Sequence, residues 1–282
     1  MNDLARELAA LSASEMVRAL GFVGGPALWR NGLELPFMLA SRRLGETLAE
    51  LDDAVAMLGL PAAAAQSLAR LGVALAHAGV PIASGPCLVL ANHPGAYDAL
   101  SLMTALGRSD LLILAAERGF LRALPGLARH FLFVGESAAA RAGALKRALS
   151  CLRRGGSLLH FPAGEIEPDA NFEADATRWL KPWQPGVAAL VKACARANGR
   201  VLVAGVRGVH SPSAKRFVLS RLAERRGVTT LAPLVQIVGK LRDVRARVHL
   251  AEVASAEQLS ELGAEAQRAR LRTALSAAIS AA

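Results

Sequence analysis

The sequence predicts an α/β fold: a mostly parallel or mixed central sheet flanked by helices, with an N-terminal helical subdomain. Three observations predict it. From Pro86 onward, short apolar runs alternate with amphipathic stretches, the rhythm of strands joined by crossover helices. Those runs carry few polar residues and read as buried strands. The first 80 residues instead repeat apolar side chains at three- and four-residue intervals.

Residues 2–20 place Leu4, Leu8, Leu11, Met16 and Leu20 at helix-like spacing, and Gly21 with the Gly24-Gly25-Pro26 cluster stops them. The pattern resumes over 33–60 through Leu48, Leu51, Val55 and Leu58. Pro61 then opens a helix over 62–77, which Gly79 ends. These helices lack the basic face of a surface-lying membrane peptide but present apolar stripes that can pack on the rest of the chain or dock on lipid. Strands are expected at 87–91, 111–115, 131–134, 157–161 and 201–206, with a late one at 248–253. Helices are expected at 98–106, 139–154 and 186–197, and a final one at 256–279. The organisation that follows is a helical region at 1–80, an α/β domain at 81–254 and a C-terminal helix at 255–282.

At 282 residues, 53% hydrophobic and 20% charged, the chain is too apolar for a disordered tail or a coiled coil. Cys87, Cys151 and Cys194 are far apart and form no CxxC pair, so a disulfide framework is not expected and a reducing compartment is. The start, with Asp3 and Glu7, lacks the basic lead and apolar run of a signal peptide. The longest uncharged run, 71–97, is broken by Pro81, Pro86 and Pro94, so no membrane-spanning helix is expected. Residues 108–247 hold 24 basic and ten acidic side chains, a balance of +14, against −2 over 1–85. A field of that sign attracts anionic lipid, a phosphorylated substrate, an acidic carrier protein or nucleic acid. Nucleic acid is not expected as the partner, because no recognition motif is present and Tyr97 is the single tyrosine. There is no Walker A loop, GxGxxG or GxSxG, which argues against nucleotide hydrolysis and serine-hydrolase chemistry. His130, His160 and His210 lack metal-like spacing, and no metal is expected.

The most informative segment is 88–98, Leu-Val-Leu-Ala-Asn-His-Pro-Gly-Ala-Tyr-Asp. A buried strand runs into Asn92-His93, meets the breakers Pro94 and Gly95, and Asp98 opens a helix. Five residues apart, His93 and Asp98 would sit about 140° apart on a continuous helix and on opposite faces of a strand. Only a turn between them brings them together, and Pro94-Gly95 supplies one. A histidine with an ordinary pKa of about 6.5 can take a proton from a hydroxyl at neutral pH. A carboxylate on its other ring nitrogen fixes the tautomer and stabilises the imidazolium. A second strand, 157–161, ends in the loop Phe161-Pro162-Ala163-Gly164-Glu165, and the strand at 111–115 exits through Arg118. In a parallel sheet these ends share one edge, where sites form.

Asn92-His93-x4-Asp98 followed by Phe161-Pro162-x-Gly164 resembles the phospholipid/glycerol acyltransferase superfamily, whose first block is Asn-His-x4-Asp and whose third is Phe-Pro-Glu-Gly-Thr-Arg. The resemblance covers about residues 85–210 and implies an α/β sheet, His93 as general base and Asp98 as its orienting acid. It further implies substrate contacts from Asn92, Arg118, Phe161, Pro162, Gly164 and Glu165. The third block departs at Ala163, Glu165 and Ile166, and Gly135-Glu136 stand where the second block usually has an arginine. The phosphate-holding arginines of the family are thus missing, which points away from lysophosphatidic acid and toward other acceptors. Arg207, leaving the strand at 201–206, is a candidate replacement cation, and Trp179 and Trp183 form a loop suited either to an acyl entrance or to packing on its own domain.

By this resemblance the chain transfers an acyl group from acyl-CoA or an acidic acyl-carrier protein to a hydroxyl of a lyso-lipid or glycerolipid-type acceptor. It needs no cofactor beyond that co-substrate. It works as a peripheral protein at the inner, cytoplasmic face of the cell membrane, on an anionic surface. The alternatives are an acyltransferase-like protein that binds lipid without turnover and, on the charge alone, a nucleic-acid-binding protein.

Overall fold

The computed structural model describes Leu8 and residues 27–82, 84–95, 97–217, 235–236, 239 and 241–282. The expected helix at 2–20 falls outside the described residues, apart from Leu8, and so does a run of basic residues at 221–226. In chain order the elements are α1 (Ala27–Leu58), α2 (Leu60–Arg70), β1 (Ala74–Gly79), β2 (Cys87–Ala91), α3 (Asp98–Leu106), β3 (Leu111–Ala116), α4 (Gly119–Arg122), α5 (Pro125–Ala128) and β4 (Phe131–Val134). Then come α6 (Ala138–Arg153), β5 (Ser157–His160), α7 (Val187–Ala195), β6 (Arg200–Arg207), α8 (Pro212–Arg216), β7 (Arg245–Ser255), α9 (Ala256–Ser260) and α10 (Ala264–Ala281).

Among the described residues seven strands form one mixed sheet in the order β1-β7-β6-β2-β5-β3-β4. Strands β6, β2, β5, β3 and β4 are parallel, and β7 runs antiparallel to β6. The expected α/β class is therefore what folds, with a mixed sheet. Strand β2 sits at its centre, and all five of its residues are buried, as a parallel strand covered on both faces requires. From β2 the chain crosses to β3, past β5, whereas from β5 it returns to β6, past β2. The strand order thus reverses beside β2, and the carboxyl ends of strands at such a reversal form a crevice.

Two compact units are distinguishable. The first comprises 1–74, 118–128 and 210–245, and the second 75–117, 129–209 and 246–282. In the first unit α1 and α2 pack together, and the buried Asp52 carboxylate accepts hydrogen bonds from the Gly126 and Leu127 N–H groups at 3.0 and 2.6 Å. In the second, Leu88 and Leu90 of β2, Leu158 of β5 and Val201 and Val203 of β6 share a core with α6, α7, α9 and α10. Helix α10 lies so close to β6 that a Cβ at Gly205 would come within 2.2 Å of the Ala278 backbone.

Two expectations are corrected. The helix expected to reach residue 77 stops at Arg70, and Ala74–Gly79 is a strand instead. Gly72 takes φ +70°, a left-handed turn that ends the helix, and the sheet claims the following residues. The single helix expected at 256–279 is two, separated at Gly263, with Ser255 and Gln258 forming a capping box on the first.

Candidate active site

The exit of β2 builds the site. Asn92 ends the strand with its carboxamide turned onto β6, where Nδ2 donates to the Val206 carbonyl at 2.8 Å and Oδ1 accepts from the Val206 N–H at 2.7 Å. This buried double bond fixes the two strand ends against each other, and it commits both polar atoms of the Asn92 side chain to backbone. Beyond it the chain turns. Gly95 takes φ +87°, a conformation that glycine adopts without steric cost. A Cβ there would meet Ile166 Cδ1 at 3.1 Å.

The turn delivers Asp98 to His93. His93 Nδ1 stands 2.7 Å from Asp98 Oδ2. The same oxygen accepts from the Gly95 N–H at 2.7 Å, and Oδ1 accepts from the Ala99 N–H at 2.5 Å. The Asp98 N–H in turn donates to the Gly95 carbonyl at 3.2 Å. Asp98 is 1% exposed, and the first turn of α3 offers its carboxylate the positive end of the helix. With the carboxylate as acceptor, the neutral ring holds its proton on Nδ1 and leaves the lone pair on Nε2. Burial pushes the His93 pKa down, but the charge and hydrogen bond of Asp98, with Glu167 behind, outweigh it and leave the net shift upward.

The loop after β5 closes the site. Phe161 lies against the imidazole, ring centroids 4.4 Å apart and planes 30° off parallel. The Pro162 carbonyl accepts from the Gln184 N–H at 2.7 Å, and the Gly164 N–H donates to the Phe161 carbonyl at 3.0 Å, folding the Phe-Pro-Ala-Gly tetrad into a tight turn. The Glu165 carboxylate is exposed and pairs with Lys181 Nζ at 2.9 Å. Glu167, which the sequence did not single out, is 3% exposed. Its Oε2 accepts from the His93 N–H at 2.9 Å, its Oε1 accepts from the Lys181 N–H at 2.8 Å, and its own N–H donates to the His93 carbonyl at 2.8 Å. Burial raises its pKa, against the two backbone N–H groups and the His93 and Arg272 charges, which lower it.

Of the sequence-predicted residues, His93, Asp98, Phe161, Pro162, Gly164 and Glu165 thus come from one strand exit and its neighbouring loop. Arg118 belongs to the other unit, where it precedes α4 and its carbonyl accepts from the Leu121 and Arg122 N–H groups at 3.1 Å. Arg207 spends Nε on Asn171 Oδ1 at 2.7 Å. Trp179 donates Nε1 to the Glu173 carbonyl, and Trp183 is buried in the core of the second unit, so that loop packs on its own domain.

A protein-family model described as Acyltransferase matches residues 74–206, from β1 through β6. Its span contains the His93–Asp98 turn and the Phe161–Gly164 loop in order.

Over residues 74–206 the chain is similar to the acyltransferase family.

In the solved structures, the chain is similar to the 1-acyl-sn-glycerophosphate (LPA) acyltransferase PlsC from Thermotoga maritima, at 14% identity over 97% of this chain and 94% of that one, with a TM-score of 0.49. No curated protein matches. The matched family is described by the activity, acyl transfer, that the sequence motifs resemble. Among the described residues no helix is long and apolar enough to cross a membrane.

Proposed function

We propose that this chain transfers a fatty acyl group from a thioester donor to a hydroxyl of a lyso-lipid or glycerolipid-type acceptor, with His93 as general base. The observation that carries the reading is the 2.7 Å contact between His93 Nδ1 and Asp98, which commits Nε2 to the proton-accepting role at the exit of the central strand. The acceptor oxygen attacks the thioester carbonyl while Nε2 removes its proton. The tetrahedral intermediate collapses, the carbon–sulfur bond breaks, and the imidazolium returns the proton to the departing thiolate. Asp98 holds the ring and balances the charge that forms.

The oxyanion needs an N–H donor. Within the Phe-Pro-Ala-Gly turn, Pro162 has none and the Gly164 N–H is already given to Phe161, which narrows the choice there to Phe161 or Ala163. Glu165 and Lys181, paired at the surface of the loop after β5, present both signs to an acceptor headgroup. The donor is acyl-CoA or an acidic acyl-carrier protein, toward which the +14 balance of residues 108–247 draws an anion. The protein works at the cytoplasmic face of the membrane as a peripheral enzyme, since its product is a lipid.

The test is His93→Ala. Purified wild-type protein, given acyl-CoA or acyl-carrier protein with a panel of lyso-lipid acceptors, forms acylated product. The variant keeps its circular dichroism and melting temperature and loses transfer by about a thousandfold or more, the loss of a positioned base together with its charge partner. Wild-type turnover in the variant removes the base. Lipid binding by the wild type with no product on any acceptor favours the non-catalytic reading.

A further inference from the structure

We infer that Glu167 is the positioning residue of the general base: its buried carboxylate fixes the backbone of His93 and supplies a second negative charge to the imidazole. The inference rests on the reading of His93 as the base.

The geometry is reciprocal. His93 gives its N–H to Glu167 Oε2 and takes the Glu167 N–H on its carbonyl, so two residues 74 apart in sequence are joined by a closed pair of hydrogen bonds. The second carboxylate oxygen takes the Lys181 N–H. One side chain therefore ties the exit of β2 to both ends of the loop that carries Phe161. Immobilising the His93 peptide fixes the direction from which its side chain leaves, and Asp98 then fixes the ring. A base misplaced by about 1 Å costs on the order of a hundredfold in rate, so a clamp on its backbone bears directly on turnover.

The carboxylate is the required chemistry. Each of its oxygens faces a backbone N–H, and a carboxamide, with one oxygen, would point its NH2 group at one of the two donors. A buried carboxylate is strongly disfavoured unless such donors satisfy it. The support extends to α10. Arg272 donates to the Lys181 and Leu180 carbonyls at 2.5 and 3.1 Å, stands with its guanidinium 5.8 Å from the Trp183 ring centroid, and adds its positive charge beside Glu167. A second buried carboxylate, Asp169, anchors the same loop on β6 by accepting from the Gly208 N–H at 2.8 Å.

The charged groups around Glu167 are His93, which pairs with Asp98 in the β2–α3 turn, and Arg272 from α10, while the Lys181 ammonium is taken by Glu165. Asp98 and Glu167 both favour the imidazolium that forms as the acceptor attacks, and both raise the pKa of His93. Removing the Glu167 charge lowers that pKa and moves the acid limb of kcat/KM to lower pH.

The experiment compares the full-length wild type, Glu167→Gln and His93→Ala, using one acyl donor and one acceptor that the wild type turns over. For Glu167→Gln the expected result is a fall in kcat of about tenfold to a hundredfold, with KM for both substrates within about threefold. Its acid limb moves down by roughly half a pH unit or more. A role confined to stability lowers the melting temperature but leaves the acid limb in place, and that result overturns the inference. If His93→Ala is inactive while Glu167→Gln matches the wild type, only the role of Glu167 falls. If His93→Ala is active, both readings fall. Should Glu167→Gln not fold, the wild type alone decides. By NMR, the amide protons of His93 and Lys181 should move together, with a common midpoint, as Glu167 titrates, and separate midpoints or no movement overturn the inference.

Discussion

Asp98→Asn isolates the electrostatic part of the site with little change of shape. In the wild type, Asp98 Oδ2 receives two donors, His93 Nδ1–H and the Gly95 N–H, while Oδ1 receives the Ala99 N–H. Asparagine has one oxygen. If that oxygen takes the Oδ2 position, its NH2 group faces the Ala99 N–H; if the group flips, NH2 faces both His93 and Gly95. Either way the carboxylate charge beside the imidazole is gone. The Asp98 side chain is 2% exposed and that of His93 29%, so solvent replaces little of what is lost. A charge-assisted hydrogen bond of this kind contributes about 1.5 to 3 kcal/mol, which is roughly tenfold to over a hundredfold in the population of the imidazolium-like transition state. An imidazole in the wrong tautomer adds to that, and the same exchange in a serine-protease triad costs about 10⁴-fold in kcat. The expected fall in kcat is therefore about 10² to 10⁴, with KM little changed because Asp98 is buried behind the histidine. The pH profile gives an independent reading. Asp98 holds the His93 pKa above its ordinary 6.5, and the base works only when neutral, so wild-type activity is lost as pH falls through that raised value. In the variant the acid limb moves to lower pH even as the plateau drops. The assay is initial-rate acyl transfer from pH 5 to 9 with both substrates varied. A variant whose kcat stays within about threefold of wild type, with the acid limb in place, refutes the base assignment.

Two further predictions test the frame that holds the site. Asn92→Ala orphans the N–H and carbonyl of Val206 inside the sheet, at roughly 1 to 3 kcal/mol for each group; the urea midpoint should fall by an equivalent of about 2 to 6 kcal/mol, and an unchanged midpoint would mean that the clamp is dispensable. His160 ends β5 beside Leu90, and burial pushes its pKa down to about 4. The unfolded chain, with a histidine at about 6.5, takes up that proton first, so this residue's contribution is full above pH 6.5 and is lost progressively toward about pH 4. His160→Leu should flatten that part of the acid-unfolding curve, measured by urea midpoints at stepped pH, and an unaltered slope would place the acid sensitivity elsewhere.

What could be read from the sequence depended on how far apart the causes lay along the chain. Strands β2 and β4 and helix α3 match the residues assigned from pattern alone, because a short apolar run between breakers is a local signal. The His93–Asp98 turn was legible for the same reason: strand end, Pro-Gly and helix start all fall within eight residues, and the proposed chemistry follows from closing that turn. Strand β1 was not. Residues 74–79 are alanine-rich and read as a continuing helix, and only their place in the sheet next to β7 makes them a strand. Asn92 was legible as a site residue by motif but not in its contacts, since its partner Val206 is 114 positions away and offers only backbone. Glu167 lay furthest out of reach. A glutamate two residues past Glu165 in a polar loop reads as solvated, and nothing local distinguishes them. Yet Glu165 meets Lys181 at the surface, whereas Glu167 turns inward onto two amides. The difference is made where the loop after β5 lies along the exit of β2, through backbone groups whose pairing depends on the fold and not on which side chains they bear. Local pattern thus identified the proposed base and its acid, while the carboxylate proposed to position them was fixed by tertiary structure.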